Sequence, residues 1–251
     1  MTNENLYKYL IRMADNSLIF GHRISEWTGK CPTLEEDIAL SNFALDFVGQ
    51  SRSLYTYAAA IEGKGRDEDQ LAYVKLLHDY KNILLLEQPN GDFGYTIMRA
   101  FIYSTFMHKF WLKMLNSKDE TLAAIAAKSE KEAAYHVRHS AEWVIRLGDG
   151  TQESHNRMQT AADEIWRFTA EMFETDEIEM ALIADGVAID PKEIQDEWLS
   201  YIQEIFEMAT LTLNQDVFMQ TGGRSGQHSE YLGYILCELQ WVQLTYPNSK
   251  W

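Results

Sequence analysis

Only four prolines, Pro32, Pro89, Pro191 and Pro247, punctuate 251 residues. Proline fixes φ and removes a backbone donor, so long stretches without it are where long helices can run uninterrupted. The apolar residues between these points recur at helical spacing, and no stretch shows convincing strand alternation. Residues 4–27 keep a helical period through Leu6, Leu10, Met13, Leu18, Ile24 and Trp27. Thr33 with Glu36 forms a Thr-x-x-Glu start signal for a helix to about Gly63. Asp67 or Asp69 is placed to cap a third helix ending before Pro89, where Pro89-Asn-Gly-Asp92 breaks the chain.

Residues 92–116 are aromatic nearly all round, with Phe93, Tyr95, Phe101, Tyr103, Phe106, Phe110 and Trp111, which marks this helix as central. Another helix opens at Asp119-Glu120 and closes at Gly148-Asp-Gly150. Residues 153–174 follow, with Met158, Ala162, Ile165, Thr169 and Met172 facing inward and Arg157, Glu164, Arg167 and Glu171 outward. An acidic segment, Asp176 to Ala184, precedes Pro191, which sits in the first turn of a helix to about Met208. The last helix runs through Trp241. No repeat period appears. The expectation is an all-α, elongated helical bundle of the ferritin-like kind, a single domain over residues 1–251.

That scaffold raises a chemical question. Ferritin-like di-iron bundles hold their metals with a Glu from each of two helices and a Glu-x-x-His pair from each of the other two. None of the seven histidines here has a glutamate three residues before it. The residues three before His22, His78, His108, His136, His139, His155 and His228 are Ile19, Lys75, Thr105, Ala133, His136, Gln152 and Ser225. Glu132 and His136 are four apart, so both can face one side of a helix, but no second copy occurs. Asp46, on an otherwise apolar helix with Asn42, Gln50 and Ser53 at successive turns, reads either as a ligand or as part of a buried polar network; Gln50 and Ser53 read as a solvated stripe. Asp46, Glu132 and His136 are thus the candidates for a vestigial metal pocket, and no metal is expected on this chain.

Other motifs are weaker. His78-Asp79-Tyr80-Lys81-Asn82 offers a base, an acid and an amide, but on a helix these do not face one way. Lys81 can meet a phosphate at a subunit boundary. Thr221-Gly-Gly-Arg-Ser-Gly226 is either an anion cradle or a flexible loop positioning the last helix. Gly-x-Ser-x-Gly, His-Glu-x-x-His and Cys-x-x-Cys are all missing from the sequence. The charge balance, 22 basic against 38 acidic residues for a net −16, argues against nucleic acid or an anionic membrane as partner. Two well-separated cysteines and the lack of a signal-like start make the cytoplasm the expected location.

Three segments carry a resemblance: Leu84-Leu-Leu-Glu-Gln-Pro-Asn-Gly-Asp-Phe93, Trp166-Arg-Phe-Thr-Ala-Glu-Met-Phe173 and Thr221-Gly-Gly-Arg-Ser-Gly-Gln-His-Ser-Glu-Tyr-Leu-Gly233. With them the chain resembles, from about residue 5 to Trp251, the C-subunit (PaaC-type) family of bacterial 1,2-phenylacetyl-CoA epoxidase. The resemblance implies a ferritin-like fold and a structural role in a multicomponent oxygenase. It places the di-iron centre in a catalytic partner subunit, draws electrons from NADPH through a reductase subunit, and forms the ring-1,2-epoxide from phenylacetyl-CoA and O₂. It also implies that this chain borders the acyl-CoA site through Asp79, Tyr80, Lys81 and Asn82 and through Glu179, Met180 and Ala181. The competing expectation is a ferritin-like oxidase with its own site built on Asp46, Asp79, Glu132 and His136.

Overall fold

The computed structural model describes residues 3–247 and 249. Its helices are α1 Asn3–Ser25, α2 Leu34–Glu62, α3 Glu68–Tyr73, α4 Leu84–Glu87, α5 Phe93–Met114, α6 Glu120–Gly148, α7 Gln152–Trp166, α8 Glu177–Ala184, α9 Gln195–Met208, α10 Glu230–Leu239 and α11 Trp241–Thr245. Short 3₁₀ turns occur at Leu77–Asp79, Ala170–Phe173, Pro191–Ile194 and Gly223–Ser225. No strand occurs among the described residues, and none of their helices is long and apolar enough to cross a membrane. The chain divides into two compact units: residues up to Pro89 with those from Thr221 onward, and residues Asn90–Gln220.

Unit one is built on α1 and α2. Thr33 caps α2 by accepting from the Glu36 amide, and Gly63 ends it in the left-handed region at φ 67°. The two helices are antiparallel: Asp15 meets Tyr55, and Phe20 packs edge-on to Phe47 with ring centroids 4.9 Å apart. Gly21 permits this approach, since a Cβ there would stand 3.2 Å from Phe47 Cβ and Val48 Cγ2.

Unit two is built on α5, buried on almost every face. Against it α6 runs antiparallel, with Phe93 on Trp143 at 5.3 Å and His108 Nε2 3.3 Å from Glu130. Helix α9 is also antiparallel to α5: Phe101 meets Tyr201 and Lys109 meets Glu197, and Lys113 meets Glu193 in the turn just before α9. The indole of Trp198 donates to the Ile102 carbonyl at 3.1 Å and stacks on Trp166 at 5.4 Å. Stacked and edge-on aromatic pairs add roughly 0.5–1.5 kcal/mol each beyond the area they bury. Long antiparallel pairs, α1 with α2 and α5 with α6, define an all-α, ferritin-like fold.

Several expected elements are revised. The third helix does not reach Pro89; it stops at Tyr73 and gives way to the turn 77–79, an extended stretch and one helical turn at α4. Asp67 caps only this first piece, in a reciprocal box with Gln70. The helix at 153–174 ends at Trp166, and the final 3₁₀ turn swings Glu171 into full burial rather than outward. The segment 176–184 is itself helical, and the last helix continues past Trp241 after a break at Gln240. Gln50 is buried, not solvated, and Ser53 is half-buried, turning its hydroxyl back to the Gly49 carbonyl at 3.0 Å. In each case helical period alone misplaced the solvent, because what covers a face comes from elsewhere in the chain.

Candidate functional site

A dense polar cluster of unit one lies where α1 meets the mostly irregular stretch 74–83. Backbone groups there that the turn at Leu77–Asp79 leaves unpaired are satisfied by side chains. Asp15, fully buried on α1, accepts from the Lys81 amide at 2.8 Å and makes short contacts with Tyr55 Oη and Lys75 Nζ. Its neighbour Asn16 accepts from the Ile83 amide at 2.8 Å. The Lys75 ammonium also lies over the rings of Tyr80 and Tyr55, 4.2 and 5.3 Å from their centroids. Burial holds the Lys75 pKa below its usual value against the opposing pull of Asp15. Burial, with Asp15 next, raises those of Tyr55 and Tyr80. Gln240 completes the cluster by donating to the Tyr73 and Lys75 carbonyls, each at 2.8 Å.

A second polar node joins this stretch to the Thr221–Gly226 motif. Glu87 and His228 have wholly buried side chains, with Oε2 and Nδ1 2.7 Å apart. Glu87 also accepts from Asn82 Nδ2 at 2.9 Å and the Ser229 amide at 2.6 Å. The other ring nitrogen of His228 faces the Tyr80 carbonyl at 2.9 Å. His228 thus has an oxygen of Glu87 or Tyr80 within hydrogen-bond distance of each ring nitrogen. Arg23 Nε and Nη2 donate to the Glu87 carbonyl at 3.1 and 2.8 Å.

The glycines explain the motif's composition. A Cβ on Gly223 would stand 2.3 Å from the Asn82 carbonyl oxygen, and one on Gly226 2.3 Å from that of His78. The motif is therefore a docked loop, seated backbone against backbone on residues 78–84, rather than a flexible one.

The residues expected at an acyl-CoA boundary divide sharply. Tyr80 and Asn82 are fully buried, Tyr80 donating to the Ala72 carbonyl at 2.7 Å. Asp79 and Lys81 remain toward solvent: Asp79 accepts from the Leu76 amide at 3.2 Å, and Lys81 Nζ donates to the His78 carbonyl at 2.9 Å. Glu179, Met180 and Ala181 lie in unit two on α8. Glu179 is buried as the third residue of a capping box with Asp176, while Met180 and Ala181 are exposed.

The metal-pocket candidates also fall in different units. Asp46 is half-buried on α2, while Glu132 and His136 lie on α6. Glu132 is 3.4 Å from Lys128 Nζ, one turn earlier; His136 is fully buried, its carbonyl accepting from Ser140 Oγ at 2.6 Å. Among the described residues no three His, Cys, Asp or Glu side chains gather where they could hold an ion. The residues present do not fit a di-iron centre, whose ligands must converge on each metal.

The fold and these clusters define a ferritin-like helical protein whose buried polar side chains fasten loops. The chain belongs to the phenylacetic acid catabolic protein family, whose model matches residues 1–251. It is 42% identical over 246 residues to the C subunit of 1,2-phenylacetyl-CoA epoxidase from Escherichia coli (strain K12), an alignment covering 98% of this chain and 99% of that protein.

Asp15, Lys75, Glu87 and Gln240 were not singled out from the sequence. The available signal was a charged or amide residue on an otherwise apolar helix face, as at Asp15 between Met13 and Leu18.

Proposed function

We propose that this chain is a non-catalytic structural subunit of a multicomponent 1,2-phenylacetyl-CoA epoxidase in the cytoplasm. It pairs with and stabilises a separate subunit that carries the di-iron centre, with electrons arriving from NADPH through a reductase. Family membership supports the assembly. The observation that carries the structural role is the donor set: Glu132 is drawn to Lys128, and no Glu-x-x-His pair exists to replace it. What this chain contributes is shape, through rigid helix pairs and loops pinned by Asp15 and Glu87.

At the substrate boundary, the solvent-facing pair Asp79 and Lys81 is available to an acyl-CoA, with Lys81 meeting a phosphate as a point charge. Tyr80 and Asn82 hold that pair in place from beneath. On α8, contact runs through Met180 and Ala181, with Glu179 holding the first turn.

The test is metal counting on each chain after co-expression with a di-iron subunit. This chain is expected to carry under about one tenth of an iron, and to lack oxygenase activity alone. Close to two irons per chain, lost in Glu132→Ala, would establish the competing oxidase reading instead.

A further inference from the structure

The last two helices of unit one leave an open apolar groove of about 780 Å³. One wall is the stretch after α3, with Val74, Leu76 and Leu77; the other is the α10–α11 face, with Cys237, Trp241 and Leu244. Cys237 closes this wall from α10, and Trp241 and Leu244, three apart on α11, continue it past the break at Gln240. Its large side chains are not tucked away: Leu76 is 64%, Trp241 56% and Leu244 60% exposed. Apolar surface gathered in one concave place marks an interaction site, unlike singly scattered residues.

The groove is held open. Gln240, at the break between α10 and α11, donates to both the Tyr73 and Lys75 carbonyls. Those bonds fix the two walls at their separation, so an occupant meets a preformed site and little ordering entropy is lost on binding.

Its charge is one-sided. Among the described residues the lining has one cation, Lys75, and that ammonium is turned inward onto Asp15. Asp79, also in the lining, keeps half of its side chain exposed. The whole chain carries −16. An occupant with its own carboxylates along the lips would be repelled, whereas flanking lysines or arginines are attracted.

We propose that this groove is a docking site for an amphipathic helix of a partner protein, with an apolar stripe at i, i+3, i+4, i+7 and basic residues beside it. The site stands on unit one alone and does not depend on which subunit holds the metal.

Cys237 provides a local readout. The only other cysteine, Cys31, has its thiol pushed up to about 11 by burial and by Asp37 and Glu36, so it reacts slowly. The probe is a leucine–lysine peptide of about 18 residues, roughly 27 Å as a helix. It is titrated into the full-length protein while a maleimide dye labels Cys237. The expected result is saturable protection, with the dissociation constant raised about tenfold or more, roughly 1.4 kcal/mol, in either Leu244→Lys or Leu76→Lys. These variants alter exposed side chains on opposite walls, so a folding defect in one leaves the other informative. An unprotected Cys237 in the presence of the peptide would overturn the proposal, as would equal protection by a leucine–glutamate peptide of the same pattern. Labelling that slows with protein concentration and no peptide would instead assign the groove to a second copy of this chain, and would also overturn it.

Discussion

The two units solve the same folding problem by different means. Unit two is mostly helix against helix around α5, and its interior is aromatic: Phe106 packs on Phe110 and Phe173, and Trp166 on Trp198. Unit one has an equally regular pair in α1 and α2, but must also hold residues 74–83 and 221–229, which are largely not helical. There Asp15, Asn16, Arg23, Glu87, His228 and Gln240 satisfy backbone amides and carbonyls that a helix would have satisfied itself. In unit one Asp15 and Glu87 hold backbone amides outside the helices, where an unpaired buried peptide group would cost about 1–3 kcal/mol. A buried charge is tolerable only when partnered in this way.

The contrast can be broken most directly at Glu87. Glu87→Ala strips partners from His228, Asn82 and the Ser229 amide together, and is expected to cost about 3–5 kcal/mol in chemical denaturation. Amide exchange should rise at 80–83 and 222–229 well before it rises in α5; uniform acceleration would erase the distinction between the units.

Acid should weaken unit one at His22, whose pKa burial lowers from 6.5 to about 4. The unfolded chain binds this proton near 6.5 and the folded chain only near 4. Between those values the unfolded state holds more protons, so stability falls as pH drops through the window, by up to about 3 kcal/mol. The acid limb of the stability profile should flatten in His22→Phe.

In unit two, Trp198→Phe removes the bond to the Ile102 carbonyl and part of the stack on Trp166. A loss of about 1–2 kcal/mol is expected, spread over the unit with no loop singled out. The smallest effect belongs to the surface: Arg52→Ala breaks the exposed pair with Glu68 at 3.1 Å and should shift stability by under about 0.5 kcal/mol. A larger shift would mean that exposed pairs contribute more to unit one than its buried nodes suggest.

Much of the helical framework was legible in the residues. Thr33 before Glu36, the break at Pro89-Asn-Gly91 and the aromatic run from Phe93 to Trp111 each act locally, through capping, backbone restriction or side-chain period. The end of α3 at Tyr73 was not legible, because the apolar residues Val74, Leu76 and Leu77 continue a helical pattern while serving a groove wall. Glu171 and Gln50 were placed outside for the same reason: their cover comes from segments distant in sequence. At the candidate site, Asp79 to Asn82 formed a recognisable cluster, yet its division into buried Tyr80 and Asn82 and outward Asp79 and Lys81 depended on Ala72, Glu87 and Asp15.

The amino-acid order by itself determined that this chain is helical, rich in buried aromatics, and without the paired carboxylate–imidazole spacing that two metals would need. Spacing along a helix is a local property, fixed by 3.6 residues per turn, so its absence can be read directly. Tertiary structure alone decided that Asp15 would meet Lys75, that Glu87 would meet His228 from 141 positions away, and that two glycines would let a loop lie on residues 78–84. Those contacts join groups with no local relation, and they form only when the loop-closure entropy of bringing them together is offset by burial around them.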